Sequence, residues 1–163
     1  MTDSPLPNLA DAGLEVRTYF VRDRNALLAR ADFSDLYVDY YLHLAEQRLK
    51  PPAEAAELFK RALAAFVLHC ASRPRTELTA WTINFQQPLL NVFLTGDNET
   101  GTVTGRVFDE HVKRLPENLF YADVVRGSKP KRLSTVSFPS ADPNVAAETF
   151  YAQSEHRIAR YFQ

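Results

Sequence analysis

PPAEAAELFKRALAAFVLHCASRPRTELTAWTINF, residues Pro51 to Phe85, decides the fold class, because its apolar period changes once within it. From Ala53 to Ala71, Leu58, Phe59, Ala62, Leu63, Phe66, Val67 and Cys70 fall on one helical face. Glu54, Glu57, Lys60 and Arg61 lie largely off that face. Pro51-Pro52 pre-sets the first turn, and Pro74 closes the helix. Beyond it, Thr79, Trp81, Ile83 and Phe85 alternate with Ala80, Thr82 and Asn84, which is the period of a strand buried on one face. A long amphipathic helix running straight into such a strand predicts an α+β fold, with mixed or antiparallel strands packed on a central helix.

Reading outward supports the same class. Downstream, Leu89–Thr95 and Thr102–Phe108 read as strands about a turn at Gly96–Gly101. Leu119–Val125 and Leu133–Phe138 form a further pair. Asp142-Pro143 is a cap followed by a first-turn proline and opens a helix to about Glu155. Arg157 to Gln163 reads as the start of a last strand. Upstream, Val16–Val21 and Ala26–Ala31 flank the polar Arg22–Asn25 and predict a hairpin. Ser34 reads as the N-cap of a helix to about Leu49, with Leu36, Tyr37, Tyr40, Tyr41 and Leu44 as its buried stripe. Residues 1–13 read as a flexible tail, and 14–163 as one domain.

Composition narrows the function classes. The chain has 163 residues, 45% hydrophobic and 24% charged, within the range of ordinary globular domains. With 19 basic and 20 acidic side chains, the net charge of −1 argues against nucleic acid as a partner. No apolar run is long enough to span a membrane, and the N-terminus has no basic-then-apolar leader pattern. One cysteine, Cys70, excludes an internal disulfide and a multi-cysteine zinc site and fits a reducing compartment, so a cytoplasmic location is expected.

Catalytic and ligand motifs are missing from the pattern. There is no Gly-x-Ser-x-Gly elbow and no phosphate-binding glycine loop, so no enzyme activity is expected. His43 and His69 sit on neighbouring helices, but two histidines are a weak metal signal, and neither a metal nor a cofactor is expected. Asp97, Asn98 and Glu99 lack the oxygen-ligand spacing of a calcium loop and read as a plain turn. Arg126, Lys129, Lys131 and Arg132 read as a solvated hairpin whose charges discourage edge pairing. Cys70, on the apolar helix face, reads as an inert packing residue.

Three stretches carry a family resemblance. Pro88-Leu89-Leu90-Asn91-Val92-Phe93-Leu94-Thr95-Gly96, followed by Gly105-Arg106-Val107, is similar to a proline-opened strand and glycine-bearing return strand in heat shock protein 33. Phe150-Tyr151-Ala152-Gln153-Ser154-Glu155 resembles that family's helix end, and Val21-Arg22 matches a Val-Arg pair in its first hairpin. The region from about Val16 onward thus resembles the N-terminal core of this redox-regulated bacterial chaperone. After Glu155 the sequence departs from the family, reading His156-Arg157-Ile158-Ala159 where a polar residue and Pro-Thr are usual.

The resemblance implies ATP-independent holdase binding of unfolded or misfolded proteins, a role in the stress response. The family's four-cysteine zinc switch has no counterpart among these residues. The alternative on the same fold is a protein-interaction or self-association module. Ile158, Tyr161 and Phe162 are the candidate client or self-association surface, with a homodimer expected through the C-terminal strand, whose open edge would template pairing.

Overall fold

The computed structural model describes residues 13–163. The expected tail therefore lies, except for Gly13, outside the described residues. Two compact units divide between Lys50 and Pro51.

The first unit opens with an antiparallel ribbon, β1 (Val16–Val21) and β2 (Ala26–Ala31). Its turn uses Asp23 and Asn25 at positive φ, a conformation short polar side chains tolerate. Helix α1 (Ser34–Glu46) follows. Ser34 is its first helical residue and not its cap. The cap position is Phe33, while the Asp32 carboxylate accepts hydrogen bonds from the Ser34 amide and hydroxyl. The expected stripe is less covered than its spacing predicts: no α1 residue is buried, and Tyr41 is exposed.

The second unit is built on helix α2 (Ala53–Ala71), with the bounds its pattern predicts. Each of Leu58, Phe59, Ala62, Leu63, Phe66, Val67 and Cys70 is buried. Against it lies a five-stranded antiparallel sheet in the order β5-β4-β3-β6-β7. Its strands are β3 (Glu77–Gln86), β4 (Leu89–Asp97), β5 (Thr102–Phe108), β6 (Asn118–Arg126) and β7 (Arg132–Phe138). Helix α3 (Pro143–Gln153) packs on β6 and β7 beside α2.

Trp81 is the centre of the core. Phe66 and Phe120 meet its ring edge-on at 5.0 and 4.9 Å, and the His69 ring lies 4.7 Å away. Gly96 belongs to β4 and not to the following turn. A Cβ there would come within 2.6 Å of Cys70 Sγ, so glycine lets the strand approach α2 closely. The turn proper is closed by Asp97, whose Oδ1 accepts from the amides of Glu99 and Thr100, and by Gly101 at φ 69°.

Asp142 caps α3 as its sequence predicts: its Oδ1 accepts from the Asn144 amide at 2.9 Å. The same oxygen takes the Arg61 guanidinium at 2.8 Å. Asp142→Ala is expected to cost about 1–2 kcal/mol of unfolding free energy, mostly through loss of the cap. Asp142→Ser keeps a capping oxygen and drops the ion pair, and should stay within about 0.5 kcal/mol of the parent because both partners are a third exposed. Equal losses for the two variants in urea melts would assign the effect to Arg61 instead.

Candidate functional site

Cross-strand pairing sorts the sheet into two faces. Trp81 stands opposite Leu94 and Ala122, and Ile83 opposite Val92 and Phe120; this face is closed by the helices. On the other face Ala80 stands opposite Thr95 and Asp123, Thr82 opposite Phe93 and Tyr121, and Asn84 opposite Asn91 and Leu119. Leu78, Phe93, Phe108 and Leu133 all belong to this second face and are 47, 41, 40 and 62% exposed. They are the sheet's exposed large apolar side chains among the described residues. Threonines separate them: Thr95 and Thr104 hydroxyls meet at 2.7 Å, beside a groove of about 470 Å³ running from Leu78 to Asp123 and Lys131. This face offers apolar area with hydroxyls between and few charges, which suits extended, sequence-varied peptide more than a small polar ligand.

In the first unit, the β1–β2 ribbon is apolar on both faces. Tyr19 faces Leu28 across the ribbon, and Phe20 faces Leu27; all four are exposed.

The residues expected to form the C-terminal surface do not act together. Residues 157–163 form no strand, so the expected open strand edge there is absent. The segment is held instead by single hydrogen bonds to the helices. The Arg157 amide donates to Tyr151 O, and the Tyr161 amide to Glu148 Oε1. Gln163 Nε2 donates to Arg61 O and Asn144 Oδ1. A strand needs a partner strand, and here α2 and α3 occupy that side.

Tyr161 turns inward. Its ring lies 6.4 Å from that of Tyr151, and burial, then the Tyr151 hydroxyl, push its phenol well above the ordinary value. Ile158 and Phe162 turn outward, 88 and 86% exposed. Two of the three expected contact residues are therefore available to a partner, and the third anchors the segment.

The anchor continues inward. His69 Nδ1 lies 2.7 Å from the Tyr151 hydroxyl, and Ser72 Oγ donates to His69 O at 2.7 Å. Close by is a cluster of five charged side chains that sequence reasoning missed. Glu77, fully buried, takes Arg73 at 2.8 Å and Arg126 at 2.7 Å. Arg73 also reaches Glu155 at 3.2 Å, and Glu155 pairs with Arg132. Burial raises the Glu77 pKa, but the hydrogen bonds and charges of Arg73 and Arg126 outweigh it and hold the carboxyl below its usual value.

Two of the four residues of the expected basic patch, Arg126 and Arg132, are thus structural, and Lys131 pairs with Asp123 at 2.9 Å. Cys70 is buried, and burial, then the Glu77 charge, push its thiol up to about 12. A thiol so protonated is a poor nucleophile. Among the described residues no group of three or more metal-ligating side chains converges, and no helix is long and apolar enough to cross a membrane.

No protein-family model matches the chain, and no curated protein sequence matches it. Among solved structures, it is similar to the crystal structure of the 33 kDa chaperonin, a heat shock protein 33 homolog, from Thermotoga maritima. The TM-score is 0.53 at 20% identity, over 64% of this chain and 40% of that one. The chain thus spans well under half the length of that chaperonin, and the likeness is one of fold: an α+β fold of the heat shock protein 33 type.

Proposed function

We propose that this chain is a non-enzymatic, ATP-independent holdase-type unit that binds unfolding proteins in the cytoplasm, without a cysteine and zinc switch. The observation that carries the reading is the open sheet face, with Leu78, Phe93, Phe108 and Leu133 exposed on one side of the five-stranded sheet. Burying apolar area there is worth about 25 cal/mol per Å² and demands little of a client's sequence. The chaperone named for the similar structure supports the same reading.

The test is suppression of aggregation of several unrelated clients at near-stoichiometric ratio. The parent is expected to protect all of them. Phe93→Glu and Leu133→Glu should weaken protection several-fold while leaving thermal unfolding in place. Peroxide should change nothing, and Cys70→Ala should match the parent. A several-fold oxidant effect that Cys70→Ala removes would refute the switch-free reading.

A second reading, a protein-interaction or self-association module on the same fold, is favoured by one observation: Ile158 and Phe162 project from the C-terminal segment almost fully exposed. Protection of a single client or none, together with tight binding lost in Ile158→Asp/Phe162→Asp, would establish this reading over the first.

A further inference from the structure

We propose that the β1–β2 ribbon is a docking surface for an anionic lipid bilayer, lying along the headgroup boundary with its arginines on the phosphates. The three rows nearest its turn are apolar on both strands: Tyr19 with Leu28, Phe20 with Leu27, and Val21 with Ala26. The five large side chains among them are all exposed, Phe20 to 72%. Charge brackets this band. Arg22 and Arg24 lie in the turn, and Arg17 stands opposite Arg30 two rows beyond Tyr19. The turn and that far row are about 17 Å apart along the strand. Between Val16 and Ala31 four arginines meet one carboxylate, Asp23, so the ribbon carries +3 in a chain of net charge −1. Arg17 is held by Glu15 at 3.0 Å, and Arg30 lies over the Tyr19 ring. Among the described residues Arg22, Arg24 and Arg30 have no carboxylate partner. Like charges set directly opposite each other are destabilising, and an anionic surface relieves the Arg17–Arg30 pair.

The two apolar faces select the partner. One face, with Val16, Thr18, Phe20, Leu27, Ala29 and Ala31, bears no charge. A globular partner seated on it would leave Tyr19 and Leu28 on the other face in water. The boundary between headgroups and acyl chains takes apolar groups to a depth of about 5–10 Å. That is close to the thickness of one ribbon with its side chains, about 10 Å. A ribbon lying along this boundary withdraws both faces from water and keeps its arginines level with the phosphates. Deeper, turn-first insertion is opposed by Arg22, Asp23 and Arg24, each costly in hydrocarbon. Nucleic acid would use the arginines and stack on Tyr19 and Phe20, but has no use for the aliphatic Val21, Leu27 and Leu28.

The test is co-sedimentation of the full chain with vesicles of phosphatidylcholine, alone or with about one-third phosphatidylglycerol. Binding is expected on the anionic vesicles only, and it should fall steeply as salt rises. Arg22→Glu/Arg24→Glu should weaken it by about tenfold or more, whereas Arg22→Lys/Arg24→Lys should leave most of it. Phe20→Ser/Leu27→Ser should also weaken it, by about tenfold. All four side chains are exposed, so thermal unfolding should not change.

Depth is read with Leu27→Trp. Acyl chains brominated near the headgroup should quench the new indole, while the fully buried Trp81 of the parent stays unquenched. Phe93→Glu/Leu133→Glu, on the open sheet face, should bind vesicles like the parent, which separates this surface from client binding. No binding to anionic vesicles, equal binding to both kinds, or its loss in Phe93→Glu/Leu133→Glu would each overturn the proposal. So would equal affinity for a single-stranded oligonucleotide, which would assign the ribbon to nucleic acid.

Discussion

Glu77→Gln is expected to lower the unfolding free energy by about 3–5 kcal/mol, the range for removing one partner of a buried ion pair. The side chain is fully buried and holds two guanidiniums, Arg73 at 2.8 Å and Arg126 at 2.7 Å. Glutamine keeps the shape, but its amide turns donors toward donors. Arg73 is itself 10% exposed, so its charge cannot recover hydration. It keeps Glu155, but that carboxylate is shared with Arg132.

The loss has a structural reach. Glu77 begins β3, Arg73 follows α2 and Arg126 ends β6, so one carboxylate ties three elements at one end of the sheet, and Arg73 extends the link to Glu155 after α3. Arg126→Ala should cost far less, about 1 kcal/mol, because Arg126 is 41% exposed and water takes over its share. Urea melts at constant m-value decide the point. A Glu77→Gln change below about 1 kcal/mol would mean that the cluster is a surface network in all but geometry.

This cluster also marks the limit of what the sequence discloses. Local signals worked where the physics is local. The period of α2, the alternation in β3, the polar turn Arg22–Asn25 and the Asp142-Pro143 cap each depend on neighbours within a few residues, and each is realised. Arg73 and Glu155 lie 82 positions apart, and Arg126 and Glu77 lie 49 apart. Nothing in either local sequence distinguishes these side chains from solvated ones, so Arg126 and Arg132 read as an exposed basic patch.

The candidate surface was half legible for a related reason. Ile158, Tyr161 and Phe162 stand out as apolar residues near the end of the sequence, and two of them are exposed. Strand or coil, however, is decided by what lies beside the backbone. Here Glu148 and Tyr151 of α3 take the amides that a neighbouring strand would have taken. The open sheet face was illegible because alternation reveals that a strand has two faces, but not which apolar residues on the second face remain uncovered. Phe93 and Leu94 look alike in sequence, yet one is 41% exposed and the other fully buried.

Acid should weaken the fold well above the carboxylate range, and His69 should be the cause. Its ring is 2% exposed, set among Phe66, Trp81 and Phe150, with Nδ1 on the Tyr151 hydroxyl. Burial first, and the nearby Arg73 charge second, lower its pKa from 6.5 to about 3. Folded His69 is therefore neutral across the interval in which an unfolded one takes up a proton. Between those two values the unfolded state binds more protons, so stability falls as pH falls. The stability is fully present above 6.5 and is lost progressively toward the folded value of about 3. One such group gives a slope of up to about 1.4 kcal/mol per pH unit.

Glu77 contributes with the same sign but lower on the scale, because its depressed carboxyl loses its contribution only below the ordinary 4.5. The interval from pH 6 to 5 thus belongs to His69. Urea midpoints across that interval should decline in the parent. They should be nearly flat in His69→Phe, which keeps an aromatic ring and leaves the Tyr151 hydroxyl beside Ser72 and Tyr161. The same decline in both proteins, or a His69 proton resonance titrating near 6.5 in the folded chain, would show that the ring reaches water and that the core around Trp81 is open at that point.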